Sequence, residues 1–411
     1  MKKLLKLTAL VIGLAFVLGC VSCKHGSDDD TPTPRVATQT SLKALSSLKA
    51  VEGVNKVYTI EYDGEYFLDK AIDANLKTSD DLLDYLADNV MSWKTVIESG
   101  APLTIKVKGA GCSSIVAKNK TAGTGGYIFG RNFDWTDGPS LILHTMPING
   151  YESVSTCFLA FVTDDLTWAP SDDSYNNAMA LACIYVPMDG MNEKGLYIAN
   201  LQNDVEPIMP AEGSSKKYVQ TTVAIRYILD KCATVDEAVN WLKSINMCPV
   251  YADELDENGD PDYPDYHFAI ADNNGKYVVV EWINGELKTV NSRVVTNHSL
   301  VNEVTNETWA NSVKRYQTLT AAGTSANWEM TSQQVAAALE GVQQSNSVWS
   351  AVFEPGAKRI TYYFRKADPF ANVPANKRPE DPDHYNEADF PEYYAAEQVP
   401  MDYTKPVVIQ F

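Results

Sequence analysis

One cysteine stands in a setting that could make it a nucleophile. Cys112 follows the small residues Gly109-Ala110-Gly111 and opens a stretch that is predicted to form a β-strand. Small residues before a cysteine let the backbone adopt tight conformations that larger residues resist. The Cys112 thiol could therefore attack the Gly111 carbonyl, form a thioester and release a free amine on Cys112. That amine, with an ordinary pKa of about 7.7–8.0, would be a general base on the same residue as the thiol.

A predicted hairpin brings two charged residues toward this cysteine. The predicted strands 113–118 and 127–135 are separated by a glycine-rich turn, so the second strand returns Arg131 and Asp134 close to Cys112. An arginine beside a thiol lowers the thiol pKa and favours the thiolate. An aspartate beside a new ammonium group can orient it by a charge-assisted hydrogen bond. The alternatives are a free cysteine at a strand start and a surface ion pair.

Further strands and helices are predicted to position these residues. Strands followed by two helices and then more strands predict sheets with a helical layer outside them, which is an α+β fold. The strands are predicted at 57–62, 180–187, 196–201, 267–271, 277–282, 287–295, 348–354 and 359–365, and the helices near 42–51, 78–90, 219–231, 234–245 and 331–339.

Composition excludes several classes of function. The 411 residues carry 53 acids against 34 bases, a net charge of -19, which argues against nucleic-acid binding because that needs a basic surface. Five of the seven cysteines lie beyond the first 23 residues, and their spacings fit no zinc site. Cys157 and Cys183 lie in apolar stretches and are interpreted as core residues. The cysteine spacings therefore give no reason to expect a zinc site.

The first residues are interpreted as an export signal. A basic start and the apolar run 4–18 end at Cys20 in a pattern that resembles a bacterial lipoprotein signal. The resemblance implies a signal peptide over 1–19, acylation of Cys20 and a disordered tether over 20–35. Cys23 is a second candidate, and an ordinary secretory signal is the alternative. The acidic run in the tether resembles the surface-export signal of Bacteroidetes lipoproteins, which implies an outer-membrane anchor with the protein facing the periplasm or the cell surface.

Several motifs together resemble one enzyme family. Gly-Cys-Ser-Ser-Ile-Val-Ala from Gly111, followed by Gly-Arg-Asn-Phe-Asp-Trp at 130–135, resembles the choloylglycine hydrolase and acid ceramidase group. These are N-terminal-nucleophile amidases that include bile-salt hydrolases and penicillin V acylases. Segments 191–199 and 294–297, and then Arg315, continue the likeness.

The resemblance implies roles for individual residues. Cys112 is the nucleophile and, through its amine, the base. Arg131 and Asp134 position the thiol and the amine. Asn297 resembles the side-chain donor of the oxyanion hole, and Arg315 resembles an arginine that supports the nucleophile region.

One position departs from the family pattern. Gln202 stands where bile-salt hydrolases usually have Asn and penicillin V acylases can have Tyr. A glutamine can still donate an amide proton as a second oxyanion donor. Its extra methylene changes the geometry, so Asn200 is a rival.

The resemblance also implies a fold and a domain order. The likeness covers about residues 110–365, and its fold is a four-layer αββα sandwich. We expect the hydrolase domain at 112–366, preceded by a small α/β pro-segment at 36–111 that is removed or retained after the cut. Residues 367–411 form an extension rich in Pro, Tyr and acids to which we assign no chemistry.

The implied activity is hydrolysis of linear amide C–N bonds in N-acyl compounds, and its mechanism requires no metal and no organic cofactor. Candidate substrates are conjugated bile salts, N-acylethanolamines or other lipid amides, penicillin V-like amides and N-acyl-homoserine lactones. The expected partners are this small molecule and, through the lipid anchor, a membrane; a homo-oligomer is left open.

Two other classes of function stay open. The chain could be a ligand-binding lipoprotein on an inactive scaffold, with Cys112 never exposed. It could also be a papain-like cysteine protease, in which His144, His267, His298 or His384 would partner the thiol. None of these histidines lies in a protease signature, and the amidase mechanism uses none of them.

Overall fold

The chain folds into helix and strand in nearly equal measure, and the predicted α+β class is confirmed. A computed structural model describes residues 39–91, 111–121, 123–135, 138–163, 166, 168–170, 176–203, 214–248, 266–302, 309–365, 372–379, 386–397 and 401–411. The strands are β1 Lys49–Ala50, β2 Val57–Asp63, β3 Gly111–Asn119, β4 Tyr127–Asp134, β5 Ser140–Met146, β6 Ser153–Phe158, β7 Asp189–Asn192, β8 Tyr197–Gln202, β9 Tyr218–Gln220, β10 Asn246–Cys248, β11 Tyr266–Ala271, β12 Tyr277–Ile283, β13 Glu286–Val290, β14 Val294–Val295, β15 Glu329–Met330, β16 Ser347–Glu354, β17 Arg359–Phe364 and β18 Val407–Gln410. The α-helices are α1 Gln39–Ser47, α2 Leu68–Ala74, α3 Ser79–Asn89, α4 Ala160–Thr163, α5 Thr221–Lys231, α6 Val235–Ser244, α7 Ala310–Ser325, α8 Ser332–Glu340 and α9 Pro391–Glu397, and 3₁₀ helices span Asn176–Tyr185, Pro355–Ala357 and Ala375–Lys377.

Two sheets carry the candidate site residues. Within the described ranges, the first sheet has nine strands in the order β1-β2-β5-β6-β7-β8-β11-β12-β13. The second has the order β14-β3-β4-β16-β17-β18, with β15 beside β3. The predicted hairpin is formed by β3 and β4, which pair antiparallel at the centre of the second sheet.

Alternation along β3 explains the layering. Cys112 and Val116 face the first sheet and belong to the large core between the two sheets. Ile115 and Ala117 face the other way and pack in a second core with α7 and α8. On the far side, α5 packs against β7 and β8 and α6 against β12. The order is therefore helices, sheet, sheet, helices, as the family resemblance implies.

Capping residues start the predicted helices where the sequence places them. Thr78 and Thr331 each form a complete capping box at the start of α3 and α8. Thr234 accepts a hydrogen bond from the Glu237 amide at the start of α6.

The predicted strand at 180–187 is wrong. This apolar run lies in the 3₁₀ helix Asn176–Tyr185 and is buried on all sides. A short apolar run has no periodicity that separates a buried helix from a buried strand.

The single strand predicted at 287–295 is also wrong. The segment forms two strands, β13 and β14, that belong to different sheets. The chain therefore crosses from the first sheet to the second just before Asn297.

The segment upstream of Cys112 is part of the main sheet. Strand β2 lies between β1 and β5 and pairs with β5 in parallel, from Val57 opposite Ser140 to Asp63 opposite Met146. Arg35–Phe411 accordingly forms one compact unit, so the segment does not fold apart from the rest. The predicted boundary at 36 lies next to the division between Met1–Pro34 and Arg35–Phe411, whereas the one at 366 divides no unit, since β18 near the carboxyl end joins the second sheet.

Candidate active site

Cys112 lies at the second position of β3, where pairing with β4 sets its neighbours. Gly111 lies opposite Asp134 and Cys112 opposite Phe133. The Cys112 side chain is fully buried between the sheets. Its Sγ lies 3.3 Å from Nη2 of Arg131 and 3.8 Å from the carbonyl oxygen of Asn200.

Arg131 is itself fully buried and is held by groups of the first sheet. Nη2 donates to the Asn200 carbonyl at 2.7 Å, and Nη1 donates to the Met188 carbonyl. Nη1 also lies 3.1 Å from Oδ2 of Asp189, a buried carboxylate. The guanidinium is therefore fixed beside the Cys112 sulfur and bridges the two sheets.

The expectation that Arg131 leaves Cys112 with a lowered pKa is wrong for the uncut chain. Burial raises the pKa of the Cys112 thiol, and this effect outweighs the opposing charge of Arg131. Asp134 adds to the increase, while Arg315 opposes it. In this state the sulfur is a thiol at neutral pH.

The backbone of Cys112 is held on both sides of its Cα. Its amide donates to Oδ1 of Asn297 at 2.9 Å. Its carbonyl accepts from Nη1 of Arg315 at 2.5 Å, and Nη2 of Arg315 donates to the same Asn297 oxygen at 2.7 Å. Arg315 also donates to Oγ of Ser113 at 2.8 Å. Asn297 and Arg315 thus form one clamp on the residue after the expected cut.

The two carboxylate oxygens of Asp134, near the expected cut, have different surroundings. Its Oδ1 accepts from Oγ of Ser347 at 2.5 Å, while the buried Oδ2 has no hydrogen-bond partner among the described residues and lies 3.9 Å from Arg315. Burial raises the pKa of this carboxyl. A Cβ at Gly111 would lie 3.1 Å from Cβ of Asp134 and 3.6 Å from Oδ2, so a glycine suits this position.

Gln202 and Asn200 both reach the site through their backbone. The Gln202 carbonyl accepts from Nδ2 of Asn297 at 2.9 Å, and the Asn200 carbonyl accepts from Arg131. The buried side-chain Oδ1 of Asn200 has no hydrogen-bond partner in the described part of the chain. The structure places Asn200 against Cys112 and Gln202 against Asn297, and it does not choose between the two rivals.

Three site residues were missed by the sequence reading. Asp189 pairs with Arg131, Ser347 bonds Asp134, and Ser312 accepts from the backbone amide of Asn297 at 2.8 Å. Asp189 lies just before the 191–199 motif, which was a usable signal. The two serines gave none, because a buried serine has no distinctive sequence context.

The histidines that the structure describes contact groups other than the Cys112 sulfur. His144 lies 2.7 Å from Glu152, and His267 bonds Glu281 and the Thr296 carbonyl. None of the histidines that the structure describes bonds the Cys112 sulfur, and His384 lies outside the described residues. The geometry therefore gives no support to a papain-like pair.

Several predictions fall on residues that the structure does not describe. They are Cys20, Cys23, the signal peptide, the tether and the Gly109-Ala110 lead-in to the cut. Among the described helices, none has the length and apolar character to cross a membrane. No group of three or more His, Cys, Asp or Glu side chains within the described ranges is placed to hold a metal ion.

Comparison with known structures gives distant likenesses. The chain is similar to a penicillin V acylase from Agrobacterium tumefaciens at 17% identity, covering 62% of this chain and 83% of that one with a TM-score of 0.41. It is similar to a conjugated bile acid hydrolase from Clostridium perfringens at 16% identity, covering 67% and 95% with a TM-score of 0.44. It is also similar to a Caenorhabditis elegans N-acylethanolamine-hydrolyzing acid amidase ortholog at 16% identity, covering 60% of this chain and 93% of that one with a TM-score of 0.38. Likenesses of this size support no inference about substrate.

No curated protein matches the chain by sequence. A family model described as acyl-coenzyme A:6-aminopenicillanic acid acyl-transferase matches residues 169–368. The matched range includes Asn297 and Arg315 and begins after Cys112. The match supports the resemblance to the N-terminal-nucleophile amidases that was found in the sequence.

Proposed function

We propose that the protein is a self-processing cysteine amidase that hydrolyses linear amide C–N bonds of N-acyl compounds. One observation carries the proposal. A buried thiol at the second position of a strand has a guanidinium 3.3 Å from its sulfur, while Asn297 and Arg315 hold the amide and carbonyl of the same residue. A structural cysteine needs none of these three partners.

The first step is cleavage after Gly111. The Cys112 sulfur attacks the Gly111 carbonyl carbon, the C–N bond breaks, and the nitrogen leaves as the Cys112 amine carrying the thiol proton. Water then hydrolyses the Gly111 thioester to a carboxylate and a thiol. The new ammonium group forms near Oδ2 of Asp134, which lacks a hydrogen-bond partner before the cut, and near Oδ1 of Asn297.

The second reaction repeats this chemistry on a substrate. The Cys112 amine takes the thiol proton, the sulfur attacks the substrate amide carbonyl, and the amine gives the proton to the leaving nitrogen. Water then releases the acyl group from the thioester. Asn297 is the oxyanion donor in this scheme, through the same Nδ2 that donates to the Gln202 carbonyl at 2.9 Å in the uncut chain. Gln202 or Asn200 supplies the other donor.

The acyl amide itself is proposed only as a class. Conjugated bile salts, N-acylethanolamines, penicillin V-like amides and N-acyl-homoserine lactones share an acyl group on a secondary amide. A panel of these substrates, assayed with the cut enzyme, identifies the preferred acyl and amine parts.

We also propose that the upstream segment stays bound after the cut. Tyr62, Tyr66, Leu82 and Leu86 are buried to within 1% of their surface, and burying one such apolar side chain is worth about 1.5–3 kcal/mol. Loss of the segment would also turn β5 into a sheet edge. Size-exclusion chromatography of cut protein should therefore show both fragments in one peak, and a peak with the Cys112 fragment alone would contradict retention.

The lipid anchor is a further proposal that rests on the sequence alone. Acylation of Cys20 would hold the protein at the outer membrane. Labelling with radioactive palmitate and membrane fractionation test it, with Cys20→Ala as the variant that should lose both the label and the membrane association, and Cys23→Ala as the control.

The deciding experiment measures processing and activity together. Intact mass and N-terminal sequencing should show a fragment that begins at Cys112. Cys112→Ala should stay uncut and inactive, while Cys157→Ala, which changes another fully buried free cysteine, should be cut normally. Cleavage of Cys112→Ala at the same bond would falsify self-processing. A wild-type chain that stays uncut but binds N-acyl amides would instead support the inactive-scaffold alternative.

A further inference from the structure

The peptide group before the Asn297 side chain is held from both ends. The Thr296 carbonyl accepts a hydrogen bond from Nε2 of His267 at 2.6 Å. The amide of the same peptide, on Asn297, donates to Oγ of Ser312 at 2.8 Å. A planar peptide has its C=O and N–H on opposite sides. Two hydrogen bonds of this kind therefore fix the orientation of the whole plane and, with it, the origin of the Asn297 side chain.

A buried carboxylate fixes the His267 side of this arrangement. Nδ1 of His267 lies 3.1 Å from Oε1 of Glu281, and both side chains are completely buried. Glu281 also accepts from Oγ of Ser299 at 2.6 Å and from the amides of Leu300 at 2.8 Å and Val301 at 3.1 Å. Burial alone would raise the pKa of Glu281, but the His267 and loop hydrogen bonds lower it below its usual value. One carboxylate therefore ties His267 to the loop just after Asn297.

The Ser312 side is fixed by the helix that carries Arg315. Oγ of Ser312 donates to Oγ1 of Thr296 at 2.8 Å, and Oγ1 of Thr296 donates to the Ser312 carbonyl at 3.0 Å. Ser312 and Arg315 are three residues apart on α7, so they lie on one helix face. A shift of α7 would therefore move the Arg315 guanidinium that holds Cys112 and the Ser312 hydroxyl that holds the Asn297 peptide together.

We propose that His267 and Ser312 are positioning residues that clamp the Thr296–Asn297 peptide and thereby aim the Asn297 amide at the reacting carbonyl. This inference rests on the proposed function. Neither side chain bonds Cys112, so each acts on catalysis through Asn297. The clamp matters because Asn297 has two tasks, accepting from the Cys112 nitrogen and donating toward the oxyanion, and one rotation of its peptide would disturb both.

The test is a double-mutant cycle on the cut enzyme. Ser312→Ala and His267→Gln should each lower kcat by about ten- to a hundredfold with little change in KM, because a misplacement of about 1 Å can cost 10²-fold. In an Asn297→Ala background, the same two substitutions should change kcat by less than about twofold. Ser312→Thr keeps the hydroxyl and should recover most of the kcat lost in Ser312→Ala.

A matched control separates positioning from stability. Ser350 is as buried as Ser312, and its Oγ makes two hydrogen bonds, to Asn132 and Tyr403. Neither of these bonds reaches the Thr296–Asn297 peptide. Ser350→Ala should lower the melting temperature about as much as Ser312→Ala and leave kcat unchanged. Equal losses of kcat with and without Asn297, or an equal loss in Ser350→Ala, would overturn the inference. Failure of the proposed function has a different signature, which is hydrolysis by Cys112→Ala.

Discussion

Arg131 and Arg226 are both fully buried, but the hydrogen-bonding groups around them are satisfied to different degrees. In Arg226 every nitrogen donates: Nε to Oδ1 of Asp230 at 2.9 Å, Nη1 to Oγ of Ser155 at 3.4 Å and Nη2 to Oγ of Ser153. The other oxygen of Asp230 accepts from a tyrosine of the upstream segment, so both sides of this pair are satisfied. This arginine joins α5 to the sheet and to the segment before the cut.

The surroundings of Arg131 are left incomplete. Within the described part of the chain, Nε of Arg131, Oδ2 of Asp134 and Oδ1 of Asn200 are buried without a hydrogen-bond partner. Each such atom costs about 1–3 kcal/mol. The comparison teaches that one buried charge cluster has its hydrogen bonds complete, while the other has buried atoms that, under the proposed function, would bond groups formed by the cut or brought by substrate.

The largest expected effect is on the satisfied cluster. Arg226→Met leaves the Asp230 carboxylate buried without its cation, and breaking a buried pair in this way costs about 3–5 kcal/mol. Urea unfolding of the uncut Cys112→Ala protein, with and without Arg226→Met, measures it. The fraction that still folds should cut itself at the normal rate in the Cys112 background. A stability loss below about 1 kcal/mol would erase the contrast between the clusters.

The next effect belongs to Asn297. Asn297→Ala should lower kcat and kcat/KM together by about 10²–10³-fold, since an oxyanion donor acts on the transition state. Gln202→Ala should behave likewise if Gln202 is the second donor, and Asn200→Ala should then have little effect. Steady-state kinetics on one amide, with thermal melting as the control, decide between them. Near-normal turnover by a well-folded Asn297→Ala enzyme would remove this residue from the mechanism.

The pH dependence of self-cleavage tests whether the thiolate of Cys112 is the attacking form. Its pKa in the folded chain is raised above the ordinary 9.0, chiefly by burial, and the thiolate is the attacking form. The cleavage rate should therefore rise about tenfold per pH unit below that pKa. Because a raised folded-state pKa favours the neutral thiol, the uncut protein also loses stability as the pH rises through it. Freshly refolded precursor, stopped at intervals and run on gels, gives the rate, and a flat profile between about pH 6 and pH 9 contradicts attack by a titrating thiol.

The smallest effect is a gain in stability at the open site. Asp134→Asn removes a buried carboxylate whose pKa is raised, mainly by burial, so the uncut protein should become more stable at pH 7 by about 1 kcal/mol. A raised folded-state pKa means that the carboxyl costs nothing below its ordinary value of 3.8, and the gain should fade there. Self-cleavage and turnover should fall in the same variant. A variant that is both less stable and fully active would show that Asp134 is a structural residue.

The sequence predicted the local geometry of the site better than its long-range contacts. A glycine-rich turn separates strands β3 and β4, which pair in register, so placing Arg131 and Asp134 near Cys112 needed only a hairpin. Helix α7, which carries Arg315, was not predicted, because its first turn has no acidic residue and its N-terminus has no side-chain cap. The upstream segment was taken for a separate unit because no local pattern reveals that β2 pairs with β5, whose first residue lies 83 positions after the start of β2.

The parallel pairing of β2 with β5 has a consequence for whether the unfolded protein can refold. Before the cut, unfolding and refolding involve one chain, and the recovery rate does not depend on protein concentration. After the proposed cut, β2 and β5 would belong to two polypeptides, and regaining the sheet would become a bimolecular reaction. The mature enzyme would then last only as long as its unfolding barrier permits, which is kinetic stability rather than equilibrium stability. Its lifetime in dilute solution would be set when Cys112 becomes the first residue of its chain.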